Sequence, residues 1–297
     1  MKEAELSQEA LHAAKVKALV DAQNICDNQV IVRDFNGAYI TITDAVKDGV
    51  ALYGKNALDV VPLYLLMSEI GLELSHLKQV EEILALCIWN IVKAAEALPE
   101  GENHPKVLEY RAQVCKWFSL LHAETENYEE AIKQAANGAY YASLLHGPEH
   151  IQTSVLYYAL GTTFQRMFHT EHALGLYDKI VEIWYKHLIE MNAQITQPST
   201  EENTNQLNNI KVVSKRLLHE GETMLLQILD TRTKVLGAAH IATGEVLYTL
   251  GLLRIHLGQR TEAESCMIQA LTIYSDALGA LHPSTVDVQN VVNQLRD

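Results

Sequence analysis

Cysteine is scarce in this 297-residue chain: Cys26, Cys87, Cys115 and Cys266 stand far apart and never form C-x-x-C. That excludes a disulfide framework and a cysteine zinc finger, and it suits buried thiols in a reducing compartment. Long apolar runs are missing too. The longest, "VVPLYLLM" from Val60 to Met67, falls far short of the ~20 residues that span a bilayer. The first twenty residues, MKEAELSQEALHAAKVKALV, carry acids and no apolar core, unlike a signal peptide. Basic residues are outnumbered, 23 Lys and Arg against 37 Asp and Glu, for a formal charge of −14. This balance argues against electrostatic binding to nucleic acid, an anionic membrane or the acidic microtubule lattice. No phosphate loop, dinucleotide fingerprint or nucleophile elbow occurs. A cytosolic or equivalent compartment is expected, with no cofactor and no chemistry of the chain's own.

What the chain has is a period. Gly-x-x-His occurs at Gly101–His104, Gly147–His150, Gly237–His240 and Gly279–His282, with histidines 46, 90 and 42 residues apart. The long interval is about two short ones. A fifth corner, Gly54-Lys55-Asn56-Ala57, lies 47 residues before Gly101 and lacks the histidine. Amphipathic segments flank each corner, for example "YEEAIKQAANGAYYASLL" before and "VLYYALGTTFQRM" after Gly147. Glycine just past a helix end predicts a left-handed C-terminal cap. Pro105 and Pro283 follow their histidines where the next helix would begin.

The second helices keep register. Ala131, Ala173, Gly221 and Ala263 are separated by 42, 48 and 42 residues, and small side chains there let helices approach closely. His150 to Ala173, His240 to Ala263 and Ala57 to Val80 each span 23 residues, whereas His104 to Ala131 spans 27. That repeat is expected to carry an extra helical turn. The pattern predicts an all-α right-handed superhelix of about six helical hairpins, one domain over residues 1–297. An irregular loop insertion is expected near 190–208, centred on Pro198-Ser199-Thr200.

His146 and His150, and the helical pair His169 and His172 in "HTEH", invite a metal reading. Neither pair has an identifiable third ligand, and H-E-x-x-H is absent. Helix-boundary chemistry explains the corner histidines better. The carboxylate pairs Glu81-Glu82 and Glu129-Glu130 are expected at the openings of second helices, where they favour the helix dipole rather than acid–base work.

The segment "KVLGAAHIATGEVLYTLGLLRIHLGQRTEAESCMIQALTIYSDALGALHPST", Lys234 to Thr285, resembles the roughly 42-residue tetratricopeptide repeat of kinesin light chains. In that family an asparagine pair on the first helix binds an extended cargo peptide. The matching positions here are Tyr158-Ala159, Tyr248-Thr249 and, on the corner alanine, Leu65-Leu66. The asparagines are gone, so a more apolar, tyrosine-rich partner surface is expected, with Leu65, Leu66, Tyr158, Tyr248 and Thr249 as candidates. Tyrosine outnumbers phenylalanine 13 to 4 and suits surfaces that are apolar yet partly wet. Arg111, Gln113, Lys116 and Arg166 lie on or near first helices and are candidates to meet an acidic partner.

A second resemblance runs from about Asp34 to Leu188. "LYG…VVPLYLLMSE", "ANGAYYAS" and "YDKIVEIWYKHL" look like the tetratricopeptide body of the MYND-zinc-finger protein of ciliary axonemes. The finger itself is absent, since residues 1–50 offer only Cys26 and His12 of its ligand types. The resemblance implies a non-catalytic accessory subunit of the cilium axoneme. Its implied partners are a single-headed inner-arm dynein heavy chain of the dynein d type and a second axonemal tetratricopeptide protein. A cytosolic adaptor binding a short linear cargo peptide is the alternative, and a metal-dependent enzyme the third reading.

Overall fold

The computed structural model describes residues 2–196 and 215–296, with side chains described for 9–191 and 215–296. The helices are α1 (Lys2–Ile31), α2 (Phe35–Tyr53), α3 (Val61–Glu73), α4 (Leu77–Ala97), α5 (Pro105–Glu124), α6 (Tyr128–His146), α7 (Ile151–Arg166), α8 (Thr170–Thr196), α9 (Lys215–Val235), α10 (Ile241–His256), α11 (Arg260–Leu278) and α12 (Pro283–Arg296). One-turn 3₁₀ segments at Leu58–Val60 and Gly101–Asn103 lead into α3 and α5, and no strand occurs among the described residues. None of the described helices is long and apolar enough to cross a membrane.

The corners stop and restart helices as the repeat predicts, with one difference in geometry. Gly147 and Gly279 end α6 and α11 at φ +94°, ψ 158° and φ +92°, ψ 155°. This is the extended region at positive φ, more restrictive than the left-handed helical cap expected, and essentially open to glycine alone. The histidines then cap the next helix. Nδ1 of His150, His240 and His282 accepts the backbone N–H of Gln152, Ala242 and Ser284 at 3.2, 3.2 and 3.3 Å. His104 makes no such bond. A threonine six residues after the glycine closes the corner twice: Thr243 and Thr285 donate to the carbonyls of Gly237 and Gly279, both at 2.9 Å.

The opposite turns, within hairpins, carry a second repeat. Arg33, Ser75, Glu126, Phe168 and Gly258 all adopt φ between 60° and 75°. In each case the next residue's N–H reaches back five residues to a carbonyl, as His169 does to Phe164 at 2.9 Å and Gln259 to Arg254 at 2.9 Å. This ties off the first helix and launches the second.

The chain divides into two compact units, 1–148 and 149–297. In the first, hairpins α1/α2, α3/α4 and α5/α6 stack in order. Helix α3 packs against α2, α4 and α5, so nine of its residues are buried and it is apolar all round. The register positions Val80 and Ala131 are fully buried. Helix α5 has 20 residues where α7 and α10 have 16, which is the extra turn expected. Glu129 and Glu130 open α6, but Glu81 and Glu82 fall one turn further into α4 than anticipated.

In the second unit, hairpins α7/α8 and α10/α11 are joined by α9, which packs on α10, α8 and α7, and by α12 on α11. Ala173, Gly221 and Ala263 are buried at the helix contacts. A Cβ on Gly221 would stand 2.4 Å from the Trp184 ring; the indole N–H of Trp184 donates to Ser154 Oγ at 3.0 Å. Of the irregular loop expected near 190–208, residues 190–196 are helical, because α8 continues through Thr196. Residues 197–208 lie outside the described chain.

Candidate partner-binding site

Four helices of the second unit line a half-open cavity of about 300 Å³. Helix spacing explains its walls. Asp178, Val181, Glu182 and Tyr185 stand at i, i+3, i+4 and i+7 on α8; Glu245, Tyr248 and Thr249 at i, i+3 and i+4 on α10; Ser284 and Asp287 at i and i+3 on α12. Each set shares one helix face. Tyr274 of α11 completes the lining.

The lining combines aromatic surface with acid. The rings of Tyr185 and Tyr248 are tilted against each other at 5.8 Å. Tyr248 and Tyr274 are 7% and 6% exposed, Tyr185 37%. The Tyr248 and Tyr274 hydroxyls make no hydrogen bond to the described residues and open onto the cavity, since neither oxygen is among the buried polar atoms left without a partner. Burial, then the neighbouring Tyr185 and Asp287, push the Tyr248 phenol up to about 12. Burial likewise raises Tyr274, which is therefore a neutral donor and acceptor at ordinary pH.

The carboxylates are unequally served. Glu182 is held by Lys186 at 2.6 Å and Lys179 at 3.2 Å, both of which also meet Glu149. Arg232 of α9, 1% exposed, donates to the Asp178 carboxylate and the Ala242 carbonyl and lies 3.8 Å from Glu245. One guanidinium thus serves two wall carboxylates. Burial raises the Glu245 carboxyl despite the opposing pull of Arg232. Asp287 is exposed at the wall and pairs with no cation among the described residues.

Of the residues singled out from the sequence, the cavity gathers Tyr248 and Thr249. Thr249 is 1% exposed and its hydroxyl donates to the Glu245 carbonyl at 2.9 Å, so Tyr248 is the one with a free polar end. Tyr158, on α7, packs against Tyr177 at 6.3 Å, and burial raises its phenol to about 12. Arg166 lies exposed at the end of the same helix. Leu65 and Leu66 are 3% and 7% exposed within the first unit's core and present no surface to a partner. The all-round packing of α3 is the reason. Arg111 is engaged by Glu102 at 3.0 Å and by the Tyr141 ring at 5.6 Å. Gln113 reaches Glu109 at 3.5 Å, and the Lys116 ammonium lies 4.4 Å from the Trp117 ring centre. These three sit on α5.

His169 and His172 stack on Phe164, with ring centres at 6.3 and 5.2 Å, which gives the pair a packing role at the α7/α8 turn. Reading the sequence missed Tyr185, Tyr274, Asp287 and Arg232. The signal available for the first was the Asp-x-x-Val-Glu-x-x-Tyr spacing in α8, an acid-and-tyrosine stripe where an inward face would be aliphatic. Nothing local marks Arg232, because its partners come from two other helices.

Residues 243–284 match the family model for the tetratricopeptide repeat. Among solved structures, the chain is similar to that of a "putative kinesin light chain" of Podosopora anserina with nearly identical TPR-like repeats, at 12% identity over 88% of this chain and 96% of that one, with a TM-score of 0.42. It is also similar to BtubC (BKLC) from P. vanneervenii, at 14% identity over 93% of each chain, with a TM-score of 0.36. The matched repeat runs from α10 through α11 to the first turn of α12, so the matched segment itself supplies Glu245, Tyr248, Thr249, Tyr274 and Ser284 to the cavity.

Proposed function

We propose that the protein is a non-catalytic adaptor of the ciliary axoneme, helping to hold a single-headed inner-arm dynein of the dynein d type on the doublet microtubule. The observation that carries the adaptor reading is the tetratricopeptide hairpin at 243–284, repeated in its turns and corners along both units. This fold is typically a scaffold for protein–protein contacts rather than a catalyst. The axonemal part rests on the resemblance of residues 34–188 to the ciliary MYND-finger protein's tetratricopeptide body. The partners on this reading are the dynein heavy chain and a second axonemal tetratricopeptide protein. A cytosolic adaptor that binds a short linear cargo peptide is the second reading, favoured by one observation: a cavity with unpartnered phenols on the matched repeat.

Affinity purification of the tagged protein from salt-extracted cilia, followed by mass spectrometry, tests the choice. Recovery of one inner-arm heavy chain and a second tetratricopeptide protein at comparable stoichiometry is expected. Absence of the protein from cilia, with only soluble cargo recovered, would sink the axonemal reading.

A further inference from the structure

We propose that the cavity between α8, α10, α11 and α12 receives the cationic side chain, arginine or lysine, of a partner polypeptide. The proposal rests on the adaptor reading and adds to it a chemical specificity. Three independent features converge. The lining carries four carboxylates, Asp178, Glu182, Glu245 and Asp287. Two of them share one buried guanidinium and Asp287 has none, so negative charge is left unmet.

The phenols of Tyr248 and Tyr274 are more than nine-tenths buried, line the void and bond to no described residue. Their hydroxyls open onto the cavity, and each offers an acceptor to an N–H donor there. The paired rings of Tyr185 and Tyr248 present π faces, to which a guanidinium or ammonium is attracted. An anionic ligand would meet the unmet carboxylates, and a purely apolar one would strand the phenols. The volume of about 300 Å³ suits a side chain rather than a folded element, at the lower end of small-ligand pockets.

The probes are N-acetyl-arginine methylamide, its lysine counterpart and its neutral citrulline counterpart, titrated into the full-length protein and followed by NMR. Arginine or lysine is expected to shift resonances around Tyr185, Tyr248, Tyr274 and Asp287, with citrulline binding about tenfold more weakly. Asp287→Asn, at an exposed position, should cost a similar factor, and Tyr274→Phe should also weaken binding. Glu264→Gln, which alters a carboxylate away from the cavity, should leave binding unchanged. Equal shifts from citrulline, no shifts from any probe, or equal binding by Asp287→Asn would overturn the proposal.

The same variant in the purification from cilia separates the two readings. Partners recovered by wild type but not by Asp287→Asn support the cavity. Equal recovery by both overturns it while the adaptor reading stands. If wild type itself recovers no partner, the adaptor reading fails, and the titration alone decides whether the cavity takes a cation.

Discussion

The turn inside each hairpin depends on one residue in left-handed backbone, and four of the five are not glycine: Arg33, Ser75, Glu126 and Phe168. A side chain there costs about 1–2 kcal/mol, while glycine would cost about 0.5–1 kcal/mol in unfolded-chain entropy. Phe168 is 91% exposed, so it offsets little of that strain by packing. Phe168→Gly is therefore expected to stabilise the protein by about 0.5–1 kcal/mol. A denaturant midpoint that rises at constant slope would show it; a fall would mean the exposed ring has a role in the folded state. The thiols are residue-scale features of the same kind. Burial pushes Cys87 up to about 12 and Cys115 up to about 11, so the thiolate that reacts with alkylating reagents is scarce at neutral pH. Slow modification of the native protein is expected, with rapid reaction of all four cysteines in denaturant.

At the scale of helices, the register of small residues controls approach distance, and Gly221 is its tightest point. An alanine there would gain about 1 kcal/mol of helix propensity. Its methyl would also be driven to 2.4 Å from a fully buried indole. Overpacking of this kind costs about 1–3 kcal/mol, and clash should win. Gly221→Ala is expected to lower the melting temperature, and Trp184→Phe should recover part of that loss in a double-mutant cycle. Additive effects would show that the two residues do not meet as described. This contact was half legible in the sequence. The 42–48-residue spacing marked Gly221 as a small position; that its partner is Trp184 emerges only once α8 and α9 pack.

Across the whole molecule, two opposing electrostatic effects meet as pH falls. Approach to the isoelectric point near 5.4 relieves the repulsion of a −14 chain. Against it stand His187 and His256, whose pKa values are lowered chiefly by burial and whose Nε2 atoms are buried without partners. His150 and His256 lower His187 further, with Glu190 opposing; the Leu188 backbone opposes the shift at His256. A depressed histidine pKa means the unfolded chain binds protons first. Its contribution to stability is whole above about 6.5 and is lost as pH falls through the folded value. The paired carboxylates Glu102, Glu149 and Glu182, lowered by their cationic partners, act below the ordinary 4.5 and leave the histidine window clear. Melting temperature is expected to drop between pH 7 and 5, and His187→Gln should flatten that dependence whatever it does to absolute stability. An unchanged slope in the variant would assign the loss elsewhere.

The helical class, the period, the corners and the extra turn of α5 were legible in the residues, because these depend on backbone chemistry expressed within a few positions: glycine at positive φ, a cap two residues away, small side chains one repeat apart. The sequence also picked out Tyr248 as a candidate, and that residue lines the cavity. Tertiary structure alone decided that Leu65 and Leu66 are core, since a helix packed against three neighbours leaves no free face. It likewise decided that Tyr185, Tyr248, Tyr274 and Asp287 share one cavity with Arg232 beside it. Those residues come from different helices, up to 102 positions apart, and no local rule couples their charges until packing brings them together.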